Sequence, residues 1–276
     1  MIDLPYFDLL LEGRHRKDPA SKIFDRYVHW GYWDRPGHAT RDLAEFVAAM
    51  DRLNSEVVAV ADLQDRQAVL DAGCGFGGTL AAIQAHKRGM NLTGLNIDAR
   101  QLEIAREQVP GVCFIEGDAC SLPFEAESFD RVLAVECVFH FPSRLQFLKE
   151  SARVLKPGGR IALSDFVPWR IGASINRIGT VIERQICKGY GELGKGWCEG
   201  DYHTMARNAG LRLIVDRDIT AQTLPTYPIL QNLFGASGQR MVWPTRWLQW
   251  VSNLRLLRYR ILGFVKEAPS NTKYQK

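Results

Sequence analysis

A cluster of four glycines directly after a short apolar run is the feature of this sequence that most constrains its fold. The run Val69–Ala72 carries an acid, Asp71, and a helical pattern begins near Leu80. The glycines between them are Gly73, Gly75, Gly77 and Gly78. This order predicts a buried strand, a tight turn and a helix N-terminus, whose free N–H groups and close backbone favour a bound ligand. The G-x-G-x-x-G spacing alone does not identify that ligand.

Apolar runs and amphipathic segments alternate between residues 66 and 165. The five predicted strands are Gln67–Leu70, Asn91–Ile97, Val112–Glu116, Phe129–Glu136 and Arg160–Phe166. Such alternation with short connections is typical of the α/β class, in which helices cover both faces of a parallel sheet. Ligands of these sheets bind at the carboxyl ends of the strands. Five polar residues stand at those ends and predict a site there: Asp71, Asn96, Asp118, Glu136 and Asp165.

The segments that flank this core predict a cap and two insertions. Residues 1–65 are expected to form an N-terminal helical lid or cap. Residues 66–276 are expected to form the core, with lid insertions at about 167–199 and 221–256 and a closing strand over 259–266.

Aromatic residues are dense just before the first long helix. Gly31 interrupts this stretch, which we interpret either as an apolar flap packed on the core or as a lid whose Tyr32 and Trp33 close over a bound cofactor. The next segment, Thr40–Ala61, has apolar residues at helical spacing, and Thr40 is the expected N-cap.

Composition argues against several classes of protein. The 35 Lys and Arg residues are dispersed and the net charge is only +4, which does not favour nucleic-acid binding. The six cysteines contain no C-x-x-C pair and the six histidines are scattered, so no metal site is expected. No signal peptide or bilayer-spanning apolar run is visible in the sequence, and we expect a cytoplasmic protein.

Five motifs in register resemble those of class I S-adenosylmethionine-dependent methyltransferases. They are Val69–Gly78, Leu92–Ile97, Gly117–Ala119, Leu122–Asp130 and Leu155–Gly159. The resemblance is strong over about residues 65–166 and continues by element order to residue 266. It implies a Rossmann-like, seven-stranded, mostly parallel sheet whose last strand runs antiparallel, and it implies S-adenosyl-L-methionine as the cofactor.

The resemblance also assigns expected contacts to that cofactor. Asp71, Gly73, Gly75 and Gly77 would hold its methionine part, Asn96 and Ile97 its ribose and adenine, and Asp118 its adenine amine with Ala119 alongside. Asn96 departs from the family's usual acid at this position. An amide accepts one ribose hydrogen bond and donates another. The missing acid also weakens the alternative of a nicotinamide dehydrogenase, in which an acid contacts the ribose.

The acceptor side is predicted from the end of the fourth strand. His140 falls where small-molecule O-methyltransferases that modify sugars and polyketides carry a catalytic histidine. An imidazole titrates near neutral pH and suits a general base that removes a hydroxyl proton. Asp165 is expected either to orient that imidazole or to bind the substrate.

Glu136 keeps a second reaction open. The spacing Glu136-x-x-x-His140 also resembles isoprenoid-type C-methyltransferases, such as sterol and tocopherol enzymes, in which the acid stabilises a cation or positions the acceptor. Cyclopropane fatty-acid synthases resemble this stretch less, because Phe139 stands where they carry an acid. A protein that keeps the cofactor fold without turnover is the remaining alternative.

Aromatic residues in the two insertions bear on the acceptor. They are Trp169, Trp197, Tyr202, Tyr227, Phe234, Trp243, Trp247 and Trp250. They predict either an apolar pocket for a small natural product or the packed interior of the lid. The basic aromatic segment Trp243–Arg260 fits a solvated helix face better than a contact with a membrane. Whether the protein forms a homodimer is left open by the sequence.

Overall fold

The computed structural model describes residues 5–16, 21–40, 42–168, 187, 190, 201–237 and 241–267. Its strands are β1 (Ala68–Ala72), β2 (Asn91–Asn96), β3 (Cys113–Glu116), β4 (Phe129–Val135), β5 (Leu155–Pro168), β6 (Leu211–Asp218) and β7 (Leu257–Lys266). The helices of these residues are α1 (Pro5–His15), α2 (Leu43–Ala61), α3 (Gly78–His86), α4 (Ala99–Gln108), α5 (Arg144–Val154), α6 (Tyr202–Asn208), α7 (Thr220–Thr223), α8 (Thr226–Ser237) and α9 (Val242–Asn253).

The seven strands form one sheet in the order β3-β2-β1-β4-β5-β7-β6. The first five strands pair in parallel, and β7 runs antiparallel to both β5 and β6. This confirms the predicted α/β fold with its antiparallel closing strand. The strand order reverses at β1, because β2 lies on one side of it and β4 on the other. A crevice opens beyond the carboxyl ends of strands at such a reversal, and the glycine turn after β1 lies there.

Burial on both faces explains the continuous apolar run of β1. Val69 and Leu70 are both fully buried, and they point into different clusters of apolar side chains on the two sides of the sheet. Met50 of α2 belongs to the cluster around Val69, and Phe147 of α5 belongs to the cluster around Leu70. A strand covered by helices on both sides has no solvent face that would call for alternating polar residues.

The helix α2 begins later than the sequence predicted. Its N-cap is Asp42, whose side chain accepts a hydrogen bond from the backbone N–H of Ala44 at 3.3 Å, so the prediction of Thr40 was wrong. The backbone N–H of Thr40 instead donates to the carboxylate of Glu45 at 2.7 Å, and its hydroxyl donates to the same oxygen. Glu45 thus holds the chain that enters the helix, while the carboxylate of Asp42 satisfies the first turn.

The two predicted insertions differ in how much of them is described. Most of residues 167–199, including Trp169 and Trp197, lies outside the described residues. Residues 221–256 contain most of α7 and the helices α8 and α9. In the described part of the chain, no helix is long and apolar enough to cross a membrane, and no group of His, Cys, Asp and Glu could hold a metal ion.

Candidate active site

A cavity opens at the carboxyl ends of β1 to β4, where the sequence placed its polar residues. Nine residues predicted for the site line it: Asp71, Gly73, Gly75, Asn96, Ile97, Asp118, Ala119, Glu136 and His140. The N-terminal segment closes the opposite side with Tyr6, Phe7 and residues 26–29. The cap and the sheet therefore build this cavity together.

The glycine turn adopts left-handed backbone conformations that few other residues tolerate. Gly73 has φ +84°, and a side-chain carbon there would lie 2.7 Å from the Cys137 sulfur. Gly77 has φ +83° and caps α3, but it does not line the cavity, because a Cβ there would point toward Val109 and Phe114. Gly77 therefore sets the packing of the turn on α4 and β3, and Gly78 takes a place in the cavity wall.

Asp71 is a buried carboxylate with no protein partner. Its side chain is 1% exposed, and neither carboxylate oxygen has a hydrogen-bond partner among the described residues. Burial raises the pKa of Asp71 from 3.8 to about 7. A buried acid without a partner is unfavourable for folding, and a ligand that brings a cation or N–H groups would relieve it.

Asn96 is held in place by its own neighbours at the end of β2. Its amide nitrogen donates to the side-chain oxygen of Gln101 at 2.7 Å, and its amide oxygen accepts from the backbone N–H of Asp98 at 3.1 Å. Gln101 is buried and also lines the cavity, which the sequence reasoning missed. The sequence feature that could have indicated Gln101 is its place as a polar residue on the inner face of α4. The adjacent Ile97 is 43% exposed at the rim.

Asp118 follows β3 and closes the far end of the cavity. One of its carboxylate oxygens accepts the backbone N–H of Cys120 at 2.7 Å, which fixes the turn after the strand. The neighbouring Ala119 is buried and leaves room against the wall of the cavity. Asp118 lines the cavity, so its carboxylate lies near any ligand that is bound there.

A second, more apolar cavity adjoins the first one. Its walls are Tyr6, Leu10, Phe24, Val28, His29, Trp30, Glu136, Phe139, His140, Tyr190, Leu230 and Phe234. Five of these residues also border the first cavity: Tyr6, Val28, His29, Glu136 and His140. Two ligands in the two cavities would meet at these shared residues.

Glu136 stands at that border in a strained backbone conformation. Its φ is +54°, a left-handed backbone conformation that is uncommon for a residue with a side chain. One carboxylate oxygen accepts the Tyr259 hydroxyl at 2.6 Å and the backbone N–H of Trp30 at 2.8 Å. Burial raises the pKa of Glu136 to about 8, and these two hydrogen bonds oppose the shift. The carboxyl group thereby ties the cap to the sheet beside both cavities.

His140 ends a short 3₁₀ turn, Val138–His140, that follows β4. Its backbone N–H donates to the carbonyl of Cys137 at 3.0 Å. The imidazole stacks on the ring of Tyr6 with centroids 6.0 Å apart, and the ring of Phe139 lies 4.4 Å away on centroids. Aromatic contacts therefore orient the ring at the border of the two cavities.

Asp165 does not join the site, and its predicted role beside His140 is corrected. Side chains alternate along β5, and Ser164 takes the place facing Glu136, whose backbone N–H donates to the serine hydroxyl at 2.9 Å. Asp165 points to the other face, where it pairs with Arg144 at 2.7 Å and accepts the Tyr202 hydroxyl at 2.7 Å. It is fully buried and lines neither cavity, so we assign it to the core.

The aromatic residues predicted for the site differ in whether they line a cavity. Tyr32 lines neither cavity; its backbone N–H donates to the carbonyl of Ala49 on α2, and the charges near its hydroxyl belong to surface residues such as Glu56. Of the aromatic residues predicted in the insertions and described here, Phe234 alone lines the second cavity. Trp243 is 66% exposed. Tyr6, His29 and Trp30 of the cap take the places that the sequence assigned to Tyr32.

We expect Tyr202→Phe to lower stability without slowing the reaction. Loss of a hydrogen bond to the buried Asp165 carboxylate should lower the free energy of unfolding by roughly 1.5–3 kcal/mol. Tyr227→Phe is the matched control, because the hydroxyl of Tyr227 bonds the neutral Ser252 at 2.8 Å rather than a carboxylate, and its loss should be smaller. Denaturant unfolding measures both. A tenfold lower kcat for Tyr202→Phe, with unchanged cofactor affinity, would contradict the assignment of Asp165 to the core and would support a role for it in the active site.

Comparison with known proteins identifies the family. The family described as a methyltransferase domain matches residues 70–163. Methyltransferase GfsG of Streptomyces halstedii is 34% identical over 218 residues, 77% of this chain and 75% of that protein. The 27-O-demethylrifamycin SV methyltransferase of Amycolatopsis mediterranei is 30% identical over 224 residues, 76% of this chain and 75% of that protein.

Solved structures agree on the fold. One of them is the mycolic acid cyclopropane synthase CmaA1 in complex with SAH and CTAB. It superposes on this chain with a TM-score of 0.74 at 15% identity, and the match covers 96% of this chain and 99% of the synthase. The curated methyltransferase relatives do not support the alternatives of a dehydrogenase and of a non-catalytic binding protein. The chain belongs to the class I S-adenosylmethionine-dependent methyltransferases that act on small molecules.

Proposed function

We propose that this enzyme methylates a hydroxyl group of a small, apolar natural product, with His140 as the general base. The observation that carries the proposal is the position of His140, which borders both the polar cavity at the strand ends and the apolar cavity beside it. A base for methyl transfer to oxygen has to stand where the two ligands meet. Similarity to 27-O-demethylrifamycin SV methyltransferase supports a hydroxyl acceptor.

The first cavity is proposed to hold the cofactor. Asp71 would accept N–H groups of the methionine part, and Gly73 and Gly75 let the backbone approach it closely. Asn96 and Ile97 would contact the ribose and adenine, and Asp118 with Ala119 the adenine edge. The bound cofactor supplies a methyl group activated by a sulfonium. The carboxylate of Asp71 supports this fit most directly, because the described residues provide no group to meet it.

The second cavity is proposed to hold the acceptor. Its apolar walls would bury the body of a hydrophobic molecule and exclude water from the border. The imidazole of His140 would then take the hydroxyl proton as the oxygen forms its new bond to carbon. Ring contacts with Tyr6 and Phe139 would help to orient the imidazole toward the acceptor.

Glu136 supports a second candidate, methyl transfer to carbon. The acid is buried, borders both cavities and has positive φ, which fits a residue held in place for chemistry. An ionised Glu136 would stabilise a cation formed on an isoprenoid acceptor. Burial raises the pKa of Glu136 to about 8 and so disfavours the ionised form, whereas the hydrogen bonds from Tyr259 and Trp30 favour it.

A labelling experiment tests the proposal. The enzyme is incubated with S-adenosylmethionine that carries a carbon-13 methyl group, together with hydroxylated polyketides, phenols and prenylated molecules. NMR of the products then locates the label. We expect the signal in the methoxy region. A signal in the aliphatic region would reject transfer to oxygen and direct attention to Glu136.

We expect Phe234→Ala to weaken acceptor binding selectively. Phe234 lines only the second cavity, so its loss should raise the acceptor KM roughly 10-fold, the effect of one buried apolar contact. The dissociation constant of S-adenosylhomocysteine should not change. Trp250→Ala is the matched control, because Trp250 lies half exposed on the neighbouring helix and lines neither cavity. An equal effect of both variants would contradict this location of the acceptor.

A further inference from the structure

His29 is a buried imidazole at the border of the two cavities that the proposed reaction does not use. It lies in the aromatic stretch of the cap between α1 and α2, and its side chain is 7% exposed. It lines both cavities, as Glu136 and His140 do. A residue in this position is placed to contact whatever binds there.

The hydrogen bond of His29 fixes which ring nitrogen carries the proton. Nδ1 lies 2.9 Å from the backbone carbonyl oxygen of Trp30. A carbonyl only accepts, so Nδ1 donates its N–H and Nε2 keeps a lone pair. Burial lowers the pKa of His29 to about 4, so the ring stays neutral at physiological pH. Nε2 is therefore an acceptor and not a donor.

Nε2 lacks a hydrogen-bond partner within the described part of the chain. Nε2 is the ring nitrogen farther from the backbone, and it belongs to a residue that lines both cavities. A buried acceptor left without a donor is unfavourable unless a ligand provides one. A carbonyl or a carboxylate of a ligand could not do so. A hydroxyl could.

The segment around His29 is anchored independently of any ligand. The backbone N–H of Trp30 donates to Glu136 at 2.8 Å, and the backbone N–H of Gly31 donates to the Thr226 hydroxyl at 3.0 Å. These bonds tie the segment to the end of β4 and to α8. The imidazole is thus held in place before the acceptor arrives, which is the condition for a selective contact.

We propose that Nε2 of His29 accepts a hydrogen bond from a second hydroxyl of the acceptor, distinct from the hydroxyl that is methylated. The natural acceptor is then an apolar diol or polyol, and His29 selects it over the mono-alcohol. This inference rests on the proposed function, because it assigns the first hydroxyl to His140. A site that matches a buried group to a substrate hydroxyl discriminates strongly against the analogue without it.

Calorimetry with matched alcohols tests the proposal without turnover. The probes are decanediols, with hydroxyls on adjacent or alternate carbons, and decanol, each added to the protein loaded with S-adenosylhomocysteine. We expect a decanediol to bind the wild type roughly 10- to 100-fold more tightly than decanol. His29→Asn keeps an N–H for the Trp30 carbonyl but has no atom at the Nε2 position, so the preference should vanish.

Two further variants separate a binding role from damage to the fold. His29→Gln restores an amide group near the Nε2 position and should recover much of the preference. His203→Asn makes the same replacement as the test variant on the exposed face of α6 and should change nothing. Equal affinities for diols and decanol in the wild type, or no diol binding at all, would overturn the proposal. So would a preference that survives in His29→Asn.

A cofactor role for His29 gives a different result. If His29→Asn weakens S-adenosylhomocysteine binding 10-fold and leaves the diol preference intact, His29 serves the cofactor and the proposal is wrong. Failure of the proposed function would show elsewhere, as a carbon-13 label in the aliphatic region of the product. The two failures are therefore distinguishable.

Discussion

Replacing Asp71 by asparagine is expected to weaken binding of S-adenosylhomocysteine roughly 100-fold and, at the same time, to stabilise the ligand-free protein above pH 7. Both effects have one cause. The Asp71 carboxylate is buried without a partner, so it is unfavourable for folding and favourable for a ligand that brings N–H groups. Asparagine keeps the shape of the side chain and removes the charge.

The sign of the stability effect follows from the pKa of Asp71, which burial raises from 3.8 to about 7 in the folded protein. Between these values the folded state holds a proton that the unfolded state has released. The stability of the ligand-free protein therefore falls as pH rises through this range and stays low above it. A pKa difference of this size corresponds to roughly 4 kcal/mol. The asparagine variant has no carboxyl group at this position, so its stability does not fall in this way as pH rises.

Two measurements check this prediction. Thermal unfolding of the ligand-free proteins from pH 5 to pH 9 should show the variant gaining on the wild type as pH rises to about 7. Calorimetry should show that the affinity of the wild type for S-adenosylhomocysteine increases as pH rises over the same range, because binding requires ionised Asp71. The affinity of the variant should not depend on pH in this way. Glu136→Gln is the comparison, since it neutralises another buried acid of the same cavity that, unlike Asp71, already accepts hydrogen bonds from Tyr259 and Trp30. Unchanged affinity in Asp71→Asn would remove Asp71 from the cofactor site.

The strand-end residues proposed to hold the cofactor could be brought together from the sequence because strand ends and turns are local features. A short apolar run followed by Asp71 and the glycines indicates its own geometry, and the following strands place Asn96 and Asp118 at the same edge. Parallel pairing then brings these residues to one cavity. Gly77 shows the limit, since its packing on α4 depends on an element 20 or more residues along the chain.

Asp165 was misplaced because a strand end does not reveal which face a side chain takes. One residue along β5 decides between the cavity side and the core side, and the register of β5 against β4 puts Ser164 opposite Val135, next to Glu136. A shift of one residue would have exchanged Ser164 and Asp165. The partner of Asp165, Arg144, lies on α5 and has no sequence pattern that links it to the strand.

The cap was the least predictable part of the site. Between Tyr27 and Trp33 the chain is neither helix nor strand, so no period indicates which aromatic residue faces the cavity. Long-range bonds decide instead: the backbone N–H of Trp30 reaches Glu136, and that of Gly31 reaches Thr226. These bonds turn His29 and Trp30 inward. The sequence predicted either an apolar flap or a lid here, but it could not indicate which residues face the cavity.

Replacing His140 by alanine is expected to lower kcat roughly 10²- to 10⁴-fold, the usual contribution of a general base, with S-adenosylhomocysteine affinity within about twofold of wild type. Its imidazole lies at the border of both cavities, where proton removal is needed, rather than among the strand-end residues proposed to hold the cofactor. Single-turnover rates measure the chemical step directly. Glu136→Gln should reduce the same rate less, since that acid is engaged by Tyr259 and Trp30.

A base is separated from a structural residue by the acidity of the acceptor. An acidic phenol, such as a nitrophenol, releases its proton without help, so the loss caused by His140→Ala should shrink for it and remain large for an aliphatic alcohol. A residue that only shapes the cavity would cost the same factor for both acceptors, and that result would reject His140 as the base. If the larger loss followed Glu136→Gln instead, the acid would be the reacting group, and transfer to carbon would become the better account of the site.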